Sequence, residues 1–122
     1  MRVVRSGAGR RLALPGRTST EIVGGAIGAR SVTLRAVEIP VPTGKARPAH
    51  RHLGCEEVIH VLSGRGRTEG PDGAHAIGPG DTLLVAEGEW HVTANTGDEP
   101  LRLLCFFPTA DVASVTEEPA GE

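Results

Sequence analysis

Apolar residues along this chain recur in short runs, and no stretch sustains the 3.6-residue period of an amphipathic helix. Residues 31–39, Ser-Val-Thr-Leu-Arg-Ala-Val-Glu-Ile, alternate well enough for a strand, which Pro40, Pro42 and Gly44 then stop. Residues 65–68 and 75–77 flank Glu69-Gly70-Pro71-Asp72-Gly73, a turn cluster whose Asp-Gly favours a hairpin. Gly78-Pro79-Gly80-Asp81 is a second turn, and residues 82–86 after it have the length and composition of a short buried strand. Residues 87–89 turn again, 90–95 form a further strand, and 101–107 are the last strong apolar run. About eight short strands at close spacing predict an all-β sandwich or closed barrel. Residues 1–20, rich in Arg, Gly and Ser, read as an arm or a leading strand without chemistry, and residues 111–122 as a mobile acidic tail with a short helix near 112–115.

A length of 122 residues suits one domain, with its barrel core at about residues 30–108. The 17 glycines and 9 prolines fit many strands joined by tight turns. A net charge of −2 with the signs interspersed offers no basic face to nucleic acid and no polybasic block to a membrane surface. No apolar run approaches the roughly 18 residues of a membrane span, and the N-terminus lacks the apolar segment of a secretory signal. Cys55 and Cys105 are not in Cys-x-x-Cys spacing, so a reducing, cytoplasmic location is expected.

Chemistry concentrates in residues 49–64, which hold three of the five histidines. On a strand, residues two apart share a face with α-carbons roughly 6.6 Å apart, so His50 and His52 can converge on one ion. A carboxylate follows at Glu56 or Glu57, and His91 sits on a later strand. Parity separates the carboxylates: Glu57 shares its face with Ile59 and Val61, whereas Glu56 shares its face with Val58, His60 and Leu62. The wholly apolar face is the expected interior, which favours Glu57 and turns His60 away. Three imidazoles and a carboxylate suit one divalent Fe, Mn, Ni, Zn or Cu ion, with positions left for water or substrate.

Two segments resemble the paired motifs of the cupin family. Pro48-Ala-His50-Arg-His52-Leu-Gly-Cys-Glu-Glu57-Val-Ile-His-Val-Leu-Ser-Gly64 is similar to the first, in which His-x-His is followed after three or four residues by Glu and six further on by Gly. Gly80-Asp-Thr-Leu-Leu-Val-Ala86-Glu-Gly88-Glu-Trp-His91-Val-Thr-Ala-Asn95 is similar to the second, with Ala86 where proline is usual. The resemblance covers about residues 30–108. It implies a double-stranded β-helix, or jelly-roll barrel, with a metal near one mouth on His50, His52, Glu57 and His91. It also implies a homodimer formed partly through exchanged or packed N-terminal strands.

Around these residues, Thr93 and Cys55 are candidate pocket residues, a buried inert thiol being the plainer reading of Cys55. Asn95 is read as a turn stabiliser, Trp90 as a packing residue opposite His91, Phe106 and Phe107 as core, and His75 as exposed.

The resemblance points to a metal-dependent enzyme acting on a small organic molecule, first of all a dioxygenase-type oxidoreductase of the kind that cleaves phenolic or diketone substrates. Glu57 is then both ligand and candidate catalytic residue, and Glu56 the second candidate acid or base. The same ligands serve a non-redox lyase, isomerase or polyketide cyclase, and a third reading is a non-catalytic small-molecule-binding barrel.

Overall fold

The computed structural model describes residues 1–42 and 47–119. Gly44, the last of the expected strand stops, lies outside them. Eleven strands run β1 Arg10–Leu14, β2 Arg17–Val23, β3 Thr33–Ile39, β4 Arg51–His52, β5 Glu57–Ser63, β6 Gly66–Gly70, β7 Gly73–Ile77, β8 Thr82–Val85, β9 Val92–Asn95, β10 Leu101–Phe107 and β11 Thr116–Glu117. Among the described residues one short α-helix, α1, spans Val112–Val115, and a single 3-10 turn lies at Gly25–Ile27.

The strands build a jelly-roll barrel with every pairing antiparallel. One sheet has the order β1-β2-β3-β10-β5-β8. Facing it are β7-β6-β9 and the pair β11-β4, and an isolated bridge between His50 and His91 joins these two pieces. The metal-motif residues thus sit at a seam of the second sheet.

Alternation sets what the barrel encloses. On the inner face of the six-stranded sheet, Val61, Leu103, Val37 and Ser19 form one cross-strand row, and Ile59, Cys105, Arg35 and Glu21 form the next. Val61, Leu101 and Ile77 pack in the apolar core toward one end, whereas Val37, Leu103 and Ser19 of the first row also line a cavity. The second row carries charge toward the other end.

The ends of the chain match expectation in part: residues 10–23 supply leading strands and the helix expected near 112–115 is α1, but the tail around that helix is not loose. Residues 10–23 are a hairpin that completes the large sheet through β2 against β3, so the sheet begins well before residue 30. The segment after residue 110 forms α1 and β11, with Val112 buried at 2% exposure, Asp111 accepting the Ser114 N–H at 3.2 Å, and Thr116 and Glu117 paired with His52 and Arg51. Burial of Val112 and this pairing hold residues 111–117 against the barrel in place of a loose tail. Residues 120–122 lie outside the described part. Phe106 also departs: it alternates outward at 38% exposure while Phe107 faces the core. No helix among the described residues is long and apolar enough to cross a membrane.

Candidate metal centre

Backbone pairing brings the first two ligands together. His50 and His91 face each other as an antiparallel pair, with each N–H donating to the other's carbonyl at 3.0 and 2.9 Å. Side chains of such a pair emerge on one face, and the two ring centroids lie 4.4 Å apart. His52, two residues on, shares that face, its ring 5.1 Å from His50 and 5.5 Å from His91. Glu57 opens β5 on the opposite sheet and points inward at 5% exposure. Oε1 of Glu57 reaches Nε2 of His52 at 3.2 Å and Nε2 of His91 at 3.0 Å. All four side chains place one ligand atom within 4.8 Å of the others.

The outer nitrogens are held. His91 Nδ1–H donates to the Glu89 carbonyl at 2.8 Å. His52 Nδ1 lies 3.0 Å from the Thr116 hydroxyl, whose own proton goes to the Val112 carbonyl at 2.7 Å. With that proton committed, the Thr116 oxygen must accept, so His52 carries its proton on Nδ1 and turns the Nε2 lone pair to the centre. His52 Nε2 is buried and, with the proton on Nδ1, makes no hydrogen bond to the Glu57 oxygen 3.2 Å away. A buried orphan nitrogen beside two further imidazoles and a carboxylate fits a metal ion, and tautomer-fixing partners of this sort are the usual support of ligating histidines.

The electrostatics of Glu57 and His50 agree with that fit. Burial penalises the Glu57 charge, but the His52 and His91 imidazoles hold its carboxyl down at about 2. His50 is lowered to about 3, first by burial and then by the neighbouring His91 and His52, which keeps its ring neutral and able to ligate. For His91 burial acts downward, yet the hydrogen bond and charge of Glu57 outweigh it and raise the value.

The loop before His91 shows why Ala86 can stand where proline is usual. The Ala86 N–H, which proline lacks, donates to the Glu89 carboxylate at 3.0 Å, and Glu89 N–H returns to the Ala86 carbonyl at 3.1 Å. Gly88, at φ +75, then donates its N–H to the His52 carbonyl at 2.8 Å, tying this turn to β4.

The four ligands line a cavity of about 440 Å³. Ile59, Val37, Leu103 and Phe107 supply its apolar wall, and the Phe107 ring meets His52 edge-on at 5.0 Å. Thr93 lines it, its hydroxyl 3.0 Å from that of Thr68. Cys105 is also on the wall, and burial, reinforced by Glu57, pushes its thiol well up, which keeps it protonated. Cys55 is buried but does not line the cavity.

Other sequence candidates lie apart from the cluster. Glu56 is exposed and absent from the cavity wall. His60 points outward onto the Thr82 hydroxyl at 2.8 Å, and exposed His75 meets Asp72 at 3.0 Å. Asn95 is buried and ties the Ile39 and Glu99 carbonyls and the Gly97 N–H, a bracing role. Trp90 lies under the Arg51 guanidinium, 4.7 Å from its ring centre.

Sequence reasoning missed Thr116 and the cavity residues Arg17, Ser19, Arg35 and Arg47. For Arg35 a signal existed: it shares parity with Val37 and Ile39, and a charged residue on an inward face asks for a reason. Residues 17–21 carry no apolar alternation to say which face is inward.

The family model described as "Cupin domain" matches residues 37–107. The protein MJ1618 of Methanocaldococcus jannaschii is 30% identical over 76 residues, which cover 62% of this chain and 61% of that protein, so the match spans less than two thirds of the relative. Among solved structures, an oxalate decarboxylase of Lactobacillus farciminis in complex with formate superposes with a TM-score of 0.77 at 19% identity, over 91% of this chain and 33% of that one. The polyketide cyclase RemF of Streptomyces resistomycificus superposes with a TM-score of 0.74 at 24% identity, over 98% of this chain and 82% of RemF. Identities at this level establish a shared fold.

Proposed function

This chain belongs to the cupin family, and from that premise we propose that it is a metal-dependent enzyme acting on a small organic molecule, of the dioxygenase type. One observation carries the reading: three imidazoles and a carboxylate, held from behind, converge at the wall of a cavity large enough for a small substrate. His50, His52, Glu57 and His91 would hold one divalent ion. When bound, that ion supplies Lewis acidity and, for Fe, Mn, Ni or Cu, redox capacity.

What the protein's own residues do is position and exclude. Glu89 and Thr116 orient His91 and His52, and the wall of Ile59, Val37, Leu103 and Phe107 keeps water from the reacting atoms. Besides the ligands, the titratable groups on the wall are three arginines, Cys105 with its raised thiol, and Glu118. Guanidiniums do not exchange protons near neutrality. Chemistry centred on the metal is favoured over a relay of side-chain acids and bases, with Glu57 the one carboxylate at the centre to take a proton.

A second reading, a non-redox lyase, isomerase or polyketide cyclase, draws on the likeness to RemF over most of both chains.

Elemental analysis of the purified protein followed by oxygen uptake tests both. The protein is loaded with Fe(II), Mn(II) or Ni(II) and offered catechols, flavonols and 1,3-diketones. Stoichiometric metal with substrate-dependent uptake is the expected outcome. Metal without uptake overturns the dioxygenase reading in favour of the non-redox one, and absence of metal under every loading leaves a non-catalytic barrel.

A further inference from the structure

Three guanidiniums, those of Arg17, Arg35 and Arg47, line the metal cavity. Among the described residues none of them has a carboxylate within ion-pairing distance, whereas four other arginines, Arg10, Arg51, Arg67 and Arg102, do. Arg47 spends one N–H on the Thr93 carbonyl at 2.6 Å and Arg17 one on the Pro15 carbonyl at 3.1 Å. Arg35 stacks over Phe107, 5.4 Å from the ring centre, and its Nε is buried without a hydrogen-bond partner. Ser19, with no exposure at all, has an equally unpartnered Oγ. The three buried orphan polar atoms found among the described residues, Ser19 Oγ, Arg35 Nε and His52 Nε2, belong to residues that line this one cavity.

Sheet register locates the second group relative to the first. Arg35 on β3 is separated from β5, the strand of Glu57, by β10 alone, and Ser19 and Arg17 lie on β2, one strand further. At about 4.8 Å per strand, Arg35 stands two steps and β2 three steps from the Glu57 strand along the same inner wall. The three arginines are half-buried, and although Glu57 and Glu118 share the cavity wall and Glu21 lies opposite Arg35 in register, none comes within ion-pairing distance of them, while buried polar atoms are otherwise nearly always satisfied. A ligand that brings an anion within hydrogen-bonding reach satisfies the free guanidinium edges and the orphan Ser19 Oγ and Arg35 Nε together. The planar guanidinium with a nearby hydroxyl matches the two oxygens of a carboxylate.

We propose that Arg17, Ser19 and Arg35 form a carboxylate-binding subsite in the metal cavity, two to three strands along the wall from Glu57, so that the small molecule is an organic acid anchored there while its other end reaches the metal. This rests on the proposed function for the reacting end and names the substrate class. Arg47, hydrogen-bonded to the chain at Thr93, adds positive potential at the same cavity.

Calorimetric titration of benzoate and succinate, each against its neutral amide, into the metal-free and metal-loaded protein tests the subsite. Both carboxylates are expected to bind more tightly than their amides in either form. Arg35→Gln and Arg17→Gln should each weaken carboxylate binding about tenfold to a hundredfold while keeping stoichiometric metal. Arg35→Lys, which retains the charge without the fork, should fall between, and Ser19→Ala provides a milder variant should Arg35→Gln unfold. Carboxylates binding no better than amides would overturn the proposal. So would binding that needs the metal and ignores all four substitutions, since the anion would then sit on the ion. Arginine-dependent binding without any turnover would sustain the subsite while the enzymatic reading failed.

Discussion

His50 and His91 exchange both backbone hydrogen bonds across an antiparallel pair, and their rings stand 4.4 Å apart on its inner face. Residues 41 positions apart are thereby registered by main chain. The main chain fixes which histidines meet, so the ligands are not interchangeable with nearby histidines.

Substituting His50, His52 or His91 by Ala should sharply lower bound metal, measured by elemental analysis after loading and desalting. His60→Ala and His75→Ala should leave it unchanged, because one faces Thr82 outside the barrel and the other Asp72 in an exposed turn. Glu57→Gln should reduce metal content well beyond Glu56→Gln, and equal effects would contradict the parity that separates the two carboxylates.

Thr116 acts on the metal through His52. Thr116→Val keeps the shape but removes the acceptor for Nδ1–H, and metal affinity should fall about tenfold to a hundredfold by competition with a chromophoric chelator. Thr116→Ser should restore it. Nitrogen NMR of the histidines should show His52 losing its Nδ1-protonated form in the valine variant. An unchanged tautomer would show that Thr116 merely packs.

Acid should weaken the metal-free protein through His50. Its ring is held at about 3 when folded, whereas unfolded histidine titrates near about 6.5, so stability declines as pH falls from about 6.5 toward about 3. His91 is shifted the other way; its contribution is complete below about pH 6.5 and is lost as pH rises through the raised value. Glu57, held at about 2, contributes above about pH 4.3 and loses that contribution only as pH falls toward 2. Between pH 6.5 and 4.5 the decline therefore belongs to His50, and thermal melts of His50→Asn should flatten it. A slope identical to the parent would refute the assignment.

Gly64 is required by the backbone around it. Its φ is +87, and a Cβ there would sit 2.7 Å from the Pro100 carbonyl oxygen and 2.8 Å from the Leu101 Cα. Gly64→Ala should lower stability by more than the roughly 1–3 kcal/mol of left-handed strain alone. Gly54→Ala, at φ +76 with open space around it, should incur the strain without the clash. Chemical denaturation of the two variants compares them directly.

The sequence by itself determined the strand pattern, the interior face of β5 and the identity of the four converging ligands. Each depends on short-range information: period-two alternation, and fixed spacing within two segments. Alternation placed Glu57 with Ile59 and Val61, and these are buried at 5%, 3% and 0% exposure. Only the tertiary structure decided that Ser19 and Arg35 share a cavity with the ligands, and that Thr116 stands behind His52. Alternation tells which residues of one strand share a face but not which strand lies alongside. The β2–β3 register, the β4–β11 pairing and the His50–His91 bridge join residues distant in the chain, and they exist only once the barrel has closed.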